Sequence, residues 1–417
     1  MRRAFGPSSS AGRTPGARPP TCASNQSGPV RTTHLQAPHR APPSEGRPVS
    51  DERPVHLRIP GPTPLPPEVR QAASGQMINH RGPEFRALLA EVTAGLQEVL
   101  ATRHDVILLT ASGTGGLEAA VVNTLSPGDR VLAVSIGYFG ERFAAIAQAY
   151  GAEVVPLAFP WGAAADPDRV RQALRADPAI RAVLVTHNET STGVANDLAA
   201  LAAAVKEEGR LLLVDAISSA ACLELRTDAW GLDVVVAGSQ KGWLAPPGLA
   251  IVAISPAAWE AQARARMPRF YFDLRRAREA AQEGSTPWTP ALSVCFALRE
   301  GLRRLRAEGV EAVWARHRRV GRVTREGLQR LGLRLVPQDE RTASDTVTAF
   351  WLPDGADAKA VLQRLRTDHG VVLAGGPGQL AGRILRIGHL GAVTEGDITP
   401  VLEALRAVLA PHVPAVR

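Results

Sequence analysis

The chain has 417 residues, 45% of them apolar, which is ample for sizeable cores in two domains. No run of eighteen apolar residues occurs, so no membrane span is expected. Three widely spaced cysteines, Cys22, Cys222 and Cys295, argue against a disulfide framework or a Cys-based metal site and fit a reducing, cytoplasmic setting. The formal charge of +8 is concentrated at the start. Residues 1–50 hold seven Arg, no Lys and one acid, Glu45, a net of +6, while the rest carries only +2. No basic stripe with interleaved aromatics points to nucleic acid.

Residues 1–52 are rich in Pro, Ser, Gly and Arg and poor in aliphatics, so they cannot bury enough surface to order themselves. They are expected to be a disordered extension, or the product of an upstream start codon. A transit peptide is disfavoured by the many prolines and the lack of an amphipathic helix. Residues 53–75 read as an arm, whose segment Arg58-Ile59-Pro60-Gly61-Pro62-Thr63-Pro64 is rigid and rich in turns. From Pro83 the apolar residues Phe85, Leu88, Leu89, Val92, Leu96 and Val99 fall at helical spacing.

Alternating units follow. Strands are expected at Val106–Leu109, Arg130–Ser135, Val154–Leu157, Ala182–Val185, Leu211–Val214, Val234–Ala237 and Leu249–Ile254. Helices are expected at Gly115–Leu125, Phe139–Tyr150, Asp166–Ala176 and Asp197–Glu208. Apolar strands alternating with amphipathic helices predict an α/β sheet buried on both faces, spanning a large domain over 76–308. Residues 264–290 lack periodicity and read as a basic loop, or as a segment that contacts a partner subunit. A helical stretch from Ala291 to about Leu331, broken near Gly309, leads into a smaller α+β domain over 309–412. There, strands are expected at Leu333–Val336, Thr346–Trp351, Val371–Leu373 and Arg383–Ile387, with helices at Ala358–His369 and ending at Leu409.

The residue types single out one lysine. The chain has three, Lys206, Lys241 and Lys359. Lys206 and Lys359 sit in helical patterns and read as solvated. Lys241 lies in Gly238-Ser239-Gln240-Lys241-Gly242, just past an apolar strand, where no solubilising charge is needed. Only a lysine has a primary amine that can lose its proton when desolvated and attack a carbonyl. Asp215 ends another apolar strand, and an acid buried there needs a partner. Together they suit a pyridoxal phosphate site, where a carboxylate keeps the pyridine nitrogen protonated and a lysine carries the aldehyde. Taken alone, Lys241 is equally readable as a strand-end side chain in solvent, and Asp215 as a cap or ion-pair partner.

With these residues in place, the chain resembles the class V aminotransferases of PLP fold type I, the group of alanine–glyoxylate and serine–glyoxylate aminotransferases. The matching stretches are Leu-Leu-Leu-Val-Asp-Ala-Ile-Ser-Ser (211–219), Gly-Ser-Gln-Lys-Gly (238–242), Ser-Gly-Thr-Gly-Gly-Leu-Glu-Ala-Ala (112–120), Thr-His-Asn-Glu-Thr-Ser-Thr-Gly (186–193) and Leu-Arg-Ile-Gly-His-Leu-Gly (385–391). The resemblance runs from about Pro60 to about Leu409. It implies a mixed, mostly parallel seven-stranded sheet, pyridoxal 5'-phosphate as cofactor, and a homodimer with shared active sites. By resemblance, Lys241 bonds the cofactor aldehyde and Asp215 faces the ring nitrogen. Ser112, Gly113 and Thr114, at a strand-to-helix turn suited to anions, cradle the phosphate with Gln240. Phe139 and Ile217 flank the ring, and Thr190 reaches its phenolic oxygen. Thr289 reaches the phosphate of the neighbouring subunit, although Thr286 stands where many relatives carry a Tyr. The arm places Gly61 beside the substrate. Arg386, a lone guanidinium in an apolar strand, captures the substrate α-carboxylate; its alternative reading is a structural ion pair.

The reaction this implies is transamination of a small L-amino acid, serine or alanine, with glyoxylate or pyruvate as acceptor. The alternatives on the same fold are ureidoglycine–glyoxylate aminotransferase, lyase or epimerase chemistry, or a non-catalytic PLP-fold subunit. A desulfurase is disfavoured, because the only Cys beyond Lys241 is Cys295, in an apolar helical stretch. A dinucleotide site is disfavoured because Glu118 stands where a third glycine is needed.

Overall fold

The structure, a computed structural model, describes residues 55–412; the extension expected over 1–52 lies outside the described residues. The apolar runs become the seven strands of one sheet. Their spatial order is Asp105–Thr110, Leu249–Ile254, Val234–Gly238, Leu211–Asp215, Ile180–Thr186, Arg130–Ser135 and Glu153–Ala158. Leu249–Ile254 runs antiparallel to both its neighbours, and the other pairs are parallel, so the sheet is mixed and mostly parallel. The central strands are uniform runs of Val, Leu, Ile and Ala because both faces are covered. One apolar cluster on these strands includes Phe85, Leu96, Val185, Val214, Val235 and Leu298. Another includes Leu117, Val121, Leu184, Leu213, Val236 and Val252. Alternate residues of each strand thus feed different cores.

The long helical stretch resolves into Leu292–Glu308 and Val310–Arg330, separated by Gly309 at φ +87°. That left-handed conformation strongly favours glycine, and it breaks the helix. Beyond it, Val347–Trp351, Ile384–Gly388 and Ala374–Gly375 form a three-stranded sheet. Helices Ala358–His369 and Thr399–Leu409 pack on it around Leu328, Phe350, Leu365, Leu385 and Leu405.

Three local readings need correction. Residues 264–290 are not all loop: Leu274–Gln282 is helical, capped by Asp273, whose side chain accepts from the N–H groups of Arg275 and Arg276. Its arginines hid a short apolar stripe, of which Leu274 and Ala277 are buried. Leu333–Val336 is not a ladder strand; only an isolated bridge joins Leu335 to Phe350. Lys206 is not simply solvated: its Nζ lies 2.6 Å from Asp233 and donates to the Arg210 carbonyl.

The N-terminal arm is tied down rather than trailing. His56–Leu57 pairs in parallel with Val371–Val372. Arg58 forms an ion pair with Asp397, and its carbonyl accepts from Gly388 N–H at 2.7 Å. These bonds carry Pro60 and Gly61 from the C-terminal sheet to the edge of the Lys241 turn.

Candidate active site

The site gathers at the carboxyl ends of the parallel strands, where an open α/β sheet presents its loops. Asp215 is the last residue of its strand and is only 4% exposed. One carboxylate oxygen accepts the Ile217 N–H at 2.9 Å. Burial is the main cause that pushes its pKa up to about 7. The Ile217 N–H pulls it back, Glu189 raises it, and Lys241 and Arg142 lower it.

Lys241 sits in the turn after Val234–Gly238, half-buried rather than facing bulk water. Its Nζ donates to the carbonyl of Pro60. Burial lowers its pKa to about 8, opposed by Asp215 and assisted by Arg386 and Arg142. Lys241 and Asp215 thus feel each other's charge without forming an ion pair within 4 Å. Gly61 explains how the arm comes so near. At φ +105° it holds a conformation suited to glycine, and a Cβ there would lie 2.6 Å from Lys241 Cδ and 2.8 Å from Nζ.

Arg386 projects from the middle of Ile384–Gly388. Its Nε donates to the Gly375 carbonyl and its Nη1 to the Thr190 carbonyl, both at 2.9 Å. Among the described residues no carboxylate lies within ion-pair distance of it. The structural ion pair that was its alternative reading is therefore not made. Burial lowers its pKa to about 10, countered by Glu189. Arg383, just before that strand, is exposed and lies over the Trp351 ring at 5.0 Å.

Ser112 is the N-cap of helix Gly113–Thr124, accepting from Gly115 N–H at 3.4 Å. The free N–H groups of that first turn, with the hydroxyls of Ser112 and Thr114, form an anion-binding end. A Cβ at Gly113 would meet Ile217 Cδ1 at 2.6 Å, so the cradle closes directly onto the loop after Asp215. Gln240 Oε1 is buried with no hydrogen-bond partner among the described residues. Phe139 lies in the first turn of helix Tyr138–Ala149, with Arg142 over its ring at 4.9 Å. Thr190 is buried and gives its carbonyl to Arg386. Thr289 is exposed, and no hydrogen bond ties it to the cradle of its own chain.

Two residues escaped the sequence reading. Glu189 is fully buried, and its carboxylate accepts from the N–H groups of Phe139 and Gly140, and from the N–H and hydroxyl of Ser191. Burial raises its pKa, against those hydrogen bonds. It fixes the start of the Phe139 helix against the Thr190 loop. Arg142, one turn along that helix, adds a second cation near Asp215 and Lys241. The Glu-Thr-Ser-Thr motif marked the loop but not this role, because the partners lie 50 residues away.

The residues present fit pyridoxal phosphate. The strand-end acid leaves its second oxygen without a protein partner among the described residues. A desolvated amine and an anion-binding helix end stand around the same turns.

The family model described as Aminotransferase class-V matches residues 57–387. A Synechococcus protein named "Soluble hydrogenase, small subunit" is 44% identical, over 85% of this chain and 92% of its own. The L-aspartate–glyoxylate aminotransferase of Paracoccus denitrificans is 41% identical, over 81% of this chain and 86% of its own. The crystal structure of an alanine–glyoxylate aminotransferase from Nostoc sp. superposes with a TM-score of 0.82 at 34% identity, covering 86% of this chain and 96% of that one. With the strand-end acid, the buried amine and this match over most of its length, the chain belongs to the class V aminotransferases, enzymes that work with pyridoxal 5'-phosphate.

Proposed function

We propose that this protein transfers the amino group of a small L-amino acid, serine or alanine, to glyoxylate or pyruvate. The observation that carries the reading is Arg386: a partly buried guanidinium, steadied by two backbone carbonyls and left without a carboxylate, beside a lysine whose pKa is lowered to about 8. Such a group is set to take an α-carboxylate through two charge-assisted hydrogen bonds. Glyoxylate is named in both the Paracoccus relative and the Nostoc structure, whereas their amino donors differ.

Each residue has a role in this reading. Arg386 holds the donor's carboxylate and so aims its α-hydrogen. Lys241, neutral in a large fraction of molecules near pH 8, takes that proton and returns it, as a general base with a tuned pKa does. The bound cofactor supplies an electron sink for the electrons left on Cα. Asp215 supplies the negative charge that keeps the ring nitrogen protonated. Ser112, Gly113, Thr114 and Gln240 would hold the cofactor's phosphate, Phe139 and Ile217 would pack against its ring, and Thr190 would donate to its phenolic oxygen. Gly61, by lacking a side chain, leaves room for Lys241 to move.

The same reading makes the enzyme a cytoplasmic homodimer in which Thr289 completes the partner's phosphate site. Support comes from exposed aromatics beside Thr289: Phe270, 65% exposed, and Tyr271 both stack on Trp288. Exposed stacked aromatics of this kind mark association surfaces. The described cysteines, Cys222 and Cys295, are free and buried, as a reducing compartment allows.

The test is a visible spectrum of the PLP-loaded protein. Addition of L-serine or L-alanine should deplete the cofactor's long-wavelength band, and glyoxylate should restore it with formation of glycine. A spectrum indifferent to every amino donor would sink the reading.

A further inference from the structure

A second charged cleft, of about 520 Å³, opens at the opposite ends of the strands that carry the active site. Arg181 is the second residue of Ile180–Thr186, Arg210 immediately precedes Leu211–Asp215, and Asp129 immediately precedes Arg130–Ser135. The facing wall is the end of helix Pro256–Arg264, which supplies Glu260 and Arg264, followed by Arg266. Four guanidinium groups thus line one cleft with two carboxylates.

The carboxylates neutralise one guanidinium, that of Arg181, and leave the other three without an acid. Asp129 is committed: one oxygen accepts Ser126 N–H at 2.8 Å and the other lies 3.2 Å from Arg181. Among the described residues, Glu260 has no guanidinium within ion-pair distance, and Arg210, Arg264 and Arg266 have no carboxylate. Arg210 is held by its Nη2, which donates to the Pro178 carbonyl at 3.0 Å, while its Nε is buried with no partner. Arg266 is anchored through its backbone N–H on Ser126 Oγ at 3.2 Å. Outside its first 50 residues the chain is nearly neutral, so this concentration of positive charge is local.

We propose that this cleft is a binding site for a small organic polyanion, a phosphorylated or polycarboxylate metabolite. Guanidinium forks match phosphate and carboxylate oxygens in pairs. Unpaired guanidiniums on two facing walls call for at least two anionic groups on one ligand. The volume falls within the range of small-molecule sites, ~300–1,000 Å³. No aromatic side chain lines the cleft to stack a base.

Titration calorimetry on the PLP-loaded protein at physiological salt tests the site, with inorganic pyrophosphate and citrate as the two probes. The loaded cofactor keeps the phosphate cradle filled. The expected result is saturable binding of at least one probe, weakened about tenfold or more in the double variant Arg264→Ser/Arg266→Ser. Both residues are exposed, so the variant should keep the cofactor's spectrum and thermal stability. Arg210→Gln should weaken binding further. Tighter binding of pyrophosphate assigns a phosphorylated ligand, and tighter binding of citrate a polycarboxylate. Binding that is unchanged in the double variant, or no binding of either probe, overturns the proposal.

Discussion

Two lysines of this chain lie near a strand-associated aspartate, and they could hardly be used more differently. Lys206 meets Asp233 at 2.6 Å in a direct ion pair. Asp233 is 3% exposed, and its oxygens also accept from Leu212 N–H and Ser255 Oγ, both at 2.9 Å. Every partner is satisfied, and the pair does structural work. Lys241 and Asp215 are near enough to feel each other, yet neither makes an ion pair. The amine is held on a backbone carbonyl and the acid on one N–H. Their pKa values are pushed towards each other, down to about 8 and up to about 7. A satisfied pair stabilises a fold. A pair held apart keeps its capacity for a third group.

The comparison breaks most sharply on the lysines themselves. Lys241→Ala should reduce turnover by on the order of 10⁴-fold or more, while Lys206→Met leaves turnover near wild type. Steady-state kinetics of the two variants decide this, and equal losses would erase the distinction. Next in size is Arg386→Ala, which removes about 3 kcal/mol of charge-assisted hydrogen bonding to the donor carboxylate. That corresponds to about a 100-fold rise in KM for the amino donor. Arg386→Lys should recover little of it, since an ammonium cannot offer two parallel donors.

Stability should separate the two acids in opposite directions. Removing the cation in Lys206→Met leaves Asp233 buried without its charge partner and should cost about 1–3 kcal/mol, the low end reflecting partial exposure of Lys206. Asp215→Asn in the cofactor-free protein should instead raise stability near pH 8. The raised pKa means the folded state binds more protons than the unfolded state between about pH 4 and pH 7. Asp215 therefore withdraws stability as pH rises through that window, and the amide variant does not. Urea melts at pH 5 and pH 8 check both statements. The smallest effect is on Lys241 alone. Only the neutral amine attacks an aldehyde, so the rate at which the cofactor-free protein captures pyridoxal phosphate should climb through about pH 8 and then level. A midpoint near the ordinary lysine value would contradict the burial of that amine.

Much of this was written in local sequence. Uniform Val, Leu and Ala runs specify strands buried on both faces. Lys241 stood out because lysine is rare here and glycines flank it, and Arg386 because its neighbours are aliphatic. What was hidden depends on contacts between distant segments. The Lys206 side chain reads as solvated until Asp233, 27 positions on, folds beneath it. Glu189 gains its role only when the Tyr138–Ala149 helix brings its first N–H groups to it. The Pro60 carbonyl matters only because Arg58, Gly388 and Val372 pin the arm. The Leu274–Gln282 helix was masked by its arginines, since a two-residue apolar stripe is too short to show a period.

The central claim is that one of three lysines carries the cofactor. Borohydride reduction of the PLP-loaded protein, followed by digestion and mass spectrometry, tests it directly, because reduction fixes the cofactor to whichever amine holds it. The account predicts a pyridoxyl group on Lys241 and on neither Lys206 nor Lys359. A label on either of those, or a reduced protein carrying no label, would contradict it.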